Sequence, residues 1–336
     1  MPRDRGTIGK RGADLATATP SPYVGRVGWG VKEKMTPRPP AAFLLPVLFL
    51  APVGTSSAQD VVRRVGRYTI TADAGAAYPG GLIVVRLRAS HPIRAIAYAN
   101  IDGRRFRFLE TSAGLRALVA LPADFAPGPT TLGVELVGRG RIRIPVPITV
   151  APRAYPPRVV VIPEGRRPLL DSPRRVRDSR QLLLTLRTVT GLQQWRGAFQ
   201  APVDVPPTTS FGSPQTYIGG SPVEGMMDSV YGEYHRGLDY DVPEGTTVQA
   251  PAAGTVLLAA ALALTGNTLV LDHGQGVISV FYHLSRIDVV PGQRVEARAP
   301  IGLSGESGLA VAPHLHWGVY VSGVAVDPRV LNEKVG

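Results

Sequence analysis

Short apolar runs separated by turn residues recur in two parts of the chain, and this pattern predicts strands rather than helices. In the first part, from residue 60 to about 152, apolar runs end at turn residues roughly every 8–12 positions. Arg141-Ile142-Arg143-Ile144 has a period of two, and Asp102-Gly103 is typical of a hairpin turn. The predicted strands are Tyr68–Thr71, Leu82–Arg88, Ile93–Tyr98, Arg105–Leu109, Ala117–Leu121, Leu132–Val137 and Arg141–Val150.

Strands of this number and spacing are typical of an immunoglobulin-like β-sandwich, which we predict for residues 60–152. The pattern brings no set of reactive side chains together in this part. Its histidine, His91, stands alone before a proline, as a loop histidine does. We therefore expect an accessory domain that binds, spaces or orients its neighbour.

The next stretch, residues 153–205, is rich in proline and arginine at its start and predicts a linker with one helix. Asp171 or Ser172 would cap this helix, and Gly191 would end it. The helix would bury an apolar stripe of Leu182, Leu186 and Val189.

Strand patterns resume in residues 206–330, where glycine-rich turns separate the apolar runs. The predicted strands of this second part are Thr246–Ala250, Gly254–Leu258, Asn267–Asp272, Gly276–Leu284, Ile301–Leu303 and His314–Val321.

Residues 35–58 have the three parts of a secretory signal peptide. A basic start is followed by the apolar run Ala41–Val53 and by small residues before Ala58. The run is too short to cross a bilayer comfortably, because a transmembrane helix needs about 20 apolar residues. We expect Met35 to be the true start, residues 1–34 to be a disordered gene-model extension, and cleavage to follow Ala58. The alternative is an uncleaved N-terminal anchor.

The composition limits the chemistry of any metal site. The chain has no cysteine, which excludes disulfides and thiolate ligands, so a zinc site must consist of histidine and carboxylate groups. The formal net charge of +12 would favour polyanions such as cell-wall polymers, nucleic acid or membrane surfaces. An arginine-rich solvated surface is the simpler explanation of that charge.

Five of the six histidines lie between residues 235 and 316. Residues two apart on a strand share a face, so His314 and His316 would present two imidazoles side by side. His235 and Asp239 are four residues apart, a spacing that also places them on one face. A catalytic zinc keeps three protein ligands and a water. We therefore predict a metal site of His235, Asp239 and one later histidine, whereas His273, before a glycine turn, would have a structural hydrogen-bonding role.

The segment from about residue 209 to 328 resembles the lysostaphin-type (LytM-like) zinc metallopeptidase family of cell-wall hydrolases. The matching motifs, in the family's order, include His235-Arg236-Gly237-Leu238-Asp239-Tyr240, Gly254-Thr255-Val256, Asp272-His273-Gly274, Tyr282-His283-Leu284-Ser285 and Pro313-His314-Leu315-His316. The resemblance implies an antiparallel β-sheet domain with a groove over one zinc ion per chain. It implies that His235, Asp239 and His316 are the zinc ligands and that His283 and His314 are the catalytic histidines.

These patterns together predict a mostly β chain in which a sandwich domain, residues 60–152, and a linker with a short helix, residues 153–205, precede a zinc peptidase domain, residues 206–330. The predicted function is an exported zinc endopeptidase that hydrolyses peptide cross-links of peptidoglycan, in the periplasm, cell envelope or outside the cell. We expect no nucleic-acid partner and no membrane span after signal cleavage. The alternatives are a non-hydrolytic wall-binding protein or activator of another hydrolase, and a zinc-containing polyanion binder.

Overall fold

Residues 60–138, 140–220 and 233–332 are described in the computed structural model, and β-strands are their predominant regular structure. The sheets are antiparallel except for one two-stranded parallel pair, so the prediction of a mostly β fold is confirmed. The predicted start at Met35, the signal peptide and the cleavage site lie outside the described residues. No helix within the described ranges is long and apolar enough to cross a membrane.

The first β-rich part contains two antiparallel sheets. Its strands are β1 (Val61–Val65), β2 (Tyr68–Asp73), β3 (Leu82–Ala89), β4 (Ile96–Ile101), β5 (Arg104–Arg107), β6 (Leu109–Thr111), β7 (Gly114–Ala120), β8 (Gly128–Val137) and β9 (Arg141–Val150). One sheet has the order β1-β2-β3-β7-β6 and the other the order β5-β4-β8-β9. Most of these strands overlap the predicted ones, although β4 is displaced by three residues from the predicted Ile93–Tyr98. Strand β6 was not predicted as a separate strand, and β1, a mostly exposed edge strand, was not predicted at all. The immunoglobulin-like relation between the two sheets stays a prediction.

Strand β9 shows why the alternating pattern was informative. Ile144, Val146 and Ile148 are buried, and Pro145 and Pro147 between them are exposed. Proline cannot donate a backbone hydrogen bond, and β9 is an edge strand, where such a donor is dispensable. The predicted hairpin turn at Asp102-Gly103 is confirmed between β4 and β5, with φ of 47° and 71° at the two residues.

The proline-rich stretch after β9 contains more regular structure than its composition predicts. Strand β10 (Arg158–Val161), a 3₁₀ helix (Glu164–Leu169) and helix α1 (Arg175–Leu186) follow one another, and β10 pairs in parallel with β11 (Gln215–Ile218).

Helix α1 confirms only part of the predicted apolar stripe. Leu182 and Leu186 are buried, but Val189 lies beyond the helix and is 42% exposed. The helix ends because the backbone leaves the helical region at Arg187, whose N–H bonds the carbonyl of Leu184 three residues back.

The second β-rich part is built around a seven-stranded antiparallel sheet. The strands after β11 are β12 (Leu238–Tyr240), β13 (Thr247–Gln249), β14 (Gly254–Leu262), β15 (Gly266–Gly274), β16 (Val277–Leu284), β17 (Arg286–Ile287), β18 (Arg294–Val295), β19 (Pro300–Leu303), β20 (Leu315–Val321) and β21 (Val324–Val326), followed by a 3₁₀ helix (Pro328–Leu331). The sheet order is β12-β20-β16-β15-β14-β18, with β21 on β20, while β13, β19 and β17 form a smaller sheet.

Strands β16 and β20 form the centre of this sheet, and every residue in them is buried. Both faces of the sheet are therefore covered here, which explains why these strands are continuous apolar runs rather than alternating ones. Phe281 and Trp317 lie opposite each other across the two strands and are nearly inaccessible to solvent. This packing fixes the position of the histidines at the ends of the two strands.

Candidate metal centre

Strand pairing brings the predicted metal ligands together. In the β12–β20 register Asp239 lies directly opposite His316, so both side chains emerge on the same face. His235 precedes β12, and the chain passes from it to Asp239 through Gly237. A Cβ on Gly237 would lie 2.6 Å from His316 Nε2 and 2.5 Å from the Trp317 carbonyl oxygen. Glycine is therefore required for the close approach of β12 to β20 at the site.

Three side-chain atoms converge at this point. The distances are 3.0 Å from His235 Nε2 to Asp239 Oδ1, 2.9 Å from His316 Nδ1 to Asp239 Oδ1 and 3.1 Å between the two histidine nitrogens. The Nδ1–H of His235 donates to the carbonyl of Ser210 at 3.0 Å, because a carbonyl can only accept. Nε2 of a neutral His235 is therefore an unprotonated donor atom that faces the other two residues.

This arrangement fits a metal ion. Three atoms with lone pairs repel one another at about 3 Å unless a cation or a proton lies among them. A tetrahedral zinc with bonds of about 2.0–2.1 Å holds neighbouring donor atoms roughly 3.3 Å apart, close to the spacing found here. All three residues are buried, so the donor set is held by the surrounding sheet rather than by solvent-exposed side chains.

Burial and the neighbouring charges set the protonation of the donor set. Burial raises the pKa of Asp239, but interactions with His235 and His316 outweigh this effect and bring that pKa well below its usual range. Burial lowers the pKa of His316 to about 4, although its hydrogen bond to Asp239 opposes the shift. An ionised carboxylate and a neutral imidazole are the forms that bind a metal.

The two predicted catalytic histidines lie beside the donor set. His314 precedes β20, and its Nε2 is 4.0 Å from Asp239 Oδ1. The Nδ1–H of His314 donates to the Ala312 carbonyl at 2.7 Å, and that of His283 donates to the Ser307 carbonyl at 2.8 Å. The centroids of the two rings are 4.8 Å apart.

His283 reaches the groove through an irregularity of β16. Its neighbour Tyr282 lies opposite His316 and stacks on its ring, so a regular strand would direct His283 to the other face. Instead His283 has a φ of 65°, and both residues line the same groove. A non-glycine residue in this conformation costs on the order of 1–3 kcal/mol, and such strain concentrates at functional sites.

The two histidines differ in their surroundings. Burial and the nearby His314 lower the pKa of His283 to about 3, so it is neutral at pH 7. His314 is the more accessible of the pair, with 12% of its side chain exposed.

The groove over the site has a wall that the sequence did not predict. All five predicted residues line the groove, and so do four residues of β10 and β11: Arg158, Val160, Gln215 and Tyr217. Arg158 Nη1 donates to Asp239 Oδ2 at 2.6 Å. This arginine has no local pattern that separates it from the other basic residues of the chain, and its partner lies 81 positions away. Sequence reasoning therefore missed it.

His273 lies in the core, away from the donor set, and its predicted structural role is confirmed. Its Nδ1 bonds the Ala253 carbonyl at 2.9 Å and its Nε2 bonds Ser279 Oγ at 2.8 Å. Its ring contacts Phe199 edge to face, with the centroids 4.7 Å apart. Burial lowers the pKa of His273 to about 4, although the bond to the Ala253 carbonyl opposes the shift.

We expect His273 to make folding sensitive to acid. Between its unfolded pKa of about 6.5 and its folded pKa of about 4, the unfolded chain binds a proton that the folded chain does not. The free energy of unfolding therefore falls as the pH drops through this window, by up to about 3 kcal/mol at pH 4 from this residue. Urea unfolding at pH 7 and pH 4.5 measures how much the free energy of unfolding falls between the two pH values. This decrease should be smaller for His273→Gln than for the wild type. Equal decreases would contradict this expectation.

Comparison with known proteins identifies the family. The sequence model described as "Peptidase family M23" matches residues 233–328. The crystal structure of a putative peptidase M23 from Pseudomonas aeruginosa superposes with a TM-score of 0.55 at 31% sequence identity, covering 76% of this chain and 94% of that one. The chain belongs to peptidase family M23.

Curated relatives of this M23 chain match it over a limited region. An uncharacterized metalloprotease of Haemophilus influenzae is 42% identical over 95 residues, which are 28% of this chain and 20% of the relative. The peptidoglycan DD-endopeptidase ShyA of Vibrio cholerae is 37% identical over 98 residues, 29% of this chain and 23% of the relative. The match thus spans about a quarter or less of the length of these two relatives.

All five predicted site residues of the M23 chain fall within the matched stretch, residues 233–328. Strands β10 and β11, which form one wall of the groove, lie outside it. The wall is therefore contributed by residues that the sequence model of the family does not include.

Proposed function

We propose that the chain is a zinc-dependent endopeptidase that hydrolyses peptide cross-links of bacterial peptidoglycan. The proposal rests on one observation, the convergence of His235, Asp239 and His316 in a groove that also holds His283 and His314. Two imidazoles and a carboxylate are a donor set that suits zinc. Membership of family M23 and relatives named peptidoglycan DD-endopeptidase support the choice of substrate.

When bound, a zinc ion supplies Lewis-acid chemistry, because it polarises a carbonyl and makes water more acidic. The remaining steps use the chain's own side chains. Because the Nδ1–H of His314 is held by Ala312, its Nε2 is the atom that accepts a proton from the attacking water. The same nitrogen returns that proton to the leaving amine as the C–N bond breaks, so that hydrolysis yields a carboxylate and an amine.

His283 has a supporting role in this proposal. Its lowered pKa makes it a weak proton acceptor, and its Nδ1–H is held by Ser307. Nε2 of the neutral ring can only accept, so we assign to His283 the hydrogen bond that orients the attacking water.

The proposal extends to the organisation and location of the chain. We propose a signal peptide at residues 35–58, export to the periplasm or beyond, an immunoglobulin-like accessory domain at residues 60–152, a linker at 153–205 and the peptidase domain at 206–330. Two antiparallel sheets in residues 60–152 support the accessory domain. A substrate in the cell wall requires export.

Digestion of purified peptidoglycan tests the proposed function. We expect the zinc-loaded chain to release peptide fragments with new amino and carboxyl termini, which mass spectrometry assigns to one cross-link bond. A chelator should stop their formation, because the donor set alone supplies no Lewis acid, and added zinc should restore it.

A chain that binds zinc and sediments with peptidoglycan but releases no fragment would contradict the enzyme proposal. That result would support the alternative of a non-hydrolytic wall-binding protein or activator. Binding to many polyanions that disappears at modest salt, without cleavage, would support a polyanion binder instead.

A further inference from the structure

Asp239 is held at both of its carboxylate oxygens. Oδ1 contacts His235 and His316 at 3.0 and 2.9 Å, and Oδ2 accepts the hydrogen bond from Arg158 at 2.6 Å. The Asp239 side chain is 5% exposed and that of Arg158 is 29% exposed. A charge-assisted hydrogen bond in such a sheltered position is strong and directional.

The strand that carries Arg158 is itself fixed. The Arg158 N–H donates to the Pro214 carbonyl and the Ile162 N–H to the Ile218 carbonyl, each at 2.8 Å, so both ends of β10 are tied to β11 and the residues beside it. A small hydrophobic cluster anchors the same segment to the peptidase domain. It consists of Ile162, Leu170, Leu264 and Leu309.

The anchored segment also contacts the loop that leads to His314. Arg166 Nη2 donates to the Glu306 carbonyl at 2.7 Å, and Leu309 of that loop belongs to the hydrophobic cluster. The segment thus reaches a proposed metal ligand on one side and the loop of a proposed catalytic histidine on the other.

The contact geometry indicates that Arg158 positions the Asp239 carboxylate and does not block the metal centre. A group that blocked the metal centre would lie against the atoms that converge there, namely Asp239 Oδ1 and the two histidine nitrogens. Arg158 instead contacts Oδ2, whereas the contacts with His235 and His316 are made by Oδ1. Its guanidinium fixes the rotation of the carboxylate and leaves Oδ1 for the metal.

We propose that Arg158 is a positioning residue of the metal centre, so that the site of this chain includes a residue outside the stretch matched by the family's sequence model. The inference rests on the proposed zinc ligation by Asp239. Without Arg158 the carboxylate would leave one buried oxygen unpaired and would be free to rotate away from the two histidines. Partners of this kind typically change metal affinity by 10–100-fold when they are removed.

The test is the zinc affinity of full-length variants, measured by competition with a chromogenic chelator. We expect Arg158→Ala to weaken zinc binding 10–100-fold. Arg158→Lys should recover part of the loss, because it keeps the positive charge but not the planar donor geometry. Arg286→Ala is the matched control, since Arg286 forms an exposed pair with Asp288 at 2.6 Å outside the groove, and its affinity should equal that of the wild type.

Thermal unfolding of the metal-free proteins separates positioning from loss of the fold. If Arg158→Ala does not fold, the zinc affinity of Arg158→Lys is compared with that of the wild type instead. A weaker affinity supports the proposal, and an equal affinity contradicts it. Unchanged zinc affinity in a folded variant would overturn the proposal, and faster peptidoglycan cleavage with unchanged affinity would show that Arg158 screens the site.

A wild type that binds no zinc would overturn the proposal as well. A wild type that binds zinc without cleaving peptidoglycan defeats the proposed function alone, because the affinity comparison still stands.

Discussion

His316→Ala is expected to lose both the bound metal and the peptidase activity. The variant keeps only His235 and Asp239 of the donor set, whereas a catalytic zinc takes three protein ligands. Zinc content after dialysis, measured by elemental analysis, should fall to background, and cleavage of peptidoglycan should fall to that of the chelated wild type. His91→Ala, the same change at an exposed histidine of the first β-rich part, should keep zinc content and cleavage at the wild-type level.

His314→Ala is expected to lose activity and keep the metal. Its Nε2 lies 4.0 Å from Asp239 Oδ1, outside the three converging atoms, and we assign to it the proton transfer. Removal of such a group typically costs about 10²–10⁴-fold in rate. The measurements are the zinc content after dialysis, by elemental analysis, and the rate at which peptide fragments are released from peptidoglycan. If His314→Ala and His316→Ala retained zinc equally, the assignment of ligand and proton-transfer roles would be wrong.

Local geometry made much of the candidate site predictable. The two-residue spacing of His314 and His316 fixes a shared face at the start of a strand, and the structure places both in one groove. Asp239 lies in β12, but His235 precedes that strand and the chain bends at Gly237, so the four-residue spacing indicated that the two are close without fixing a shared strand face.

The position of His283 was not predictable from the period of a strand. Its side chain shares a groove with Tyr282 only because the backbone adopts a positive φ at the end of β16. No residue type in Tyr282-His283-Leu284 requires that conformation, so strand alternation alone would have directed His283 to the other face. Only the family resemblance gave its role.

The contact of Arg158 with Asp239 was even less predictable from the sequence. It joins residues 81 positions apart through a parallel pairing of two short strands. A strand of four residues in a proline-rich stretch has little pattern of its own, and its pairing depends on the tertiary structure around it. The end of α1 before Val189 is a smaller instance, because the last turn is set by backbone hydrogen bonds rather than by the apolar stripe.

The position of β20 in the sheet determines when the sheet can form during synthesis of the chain. This strand is synthesised after every other strand of the seven-stranded sheet except β21, yet it lies between β12 and β16, which come earlier in the sequence. Until the ribosome has released residues 315–321, β12 has no partner in the sheet and Asp239 has no histidine opposite it. A chain that stops before residue 316 therefore has only two of the three donor residues. The proposed donor set is complete only after β20 has been synthesised, so a translation product interrupted before residue 316 is expected to bind no zinc and to cleave no peptidoglycan.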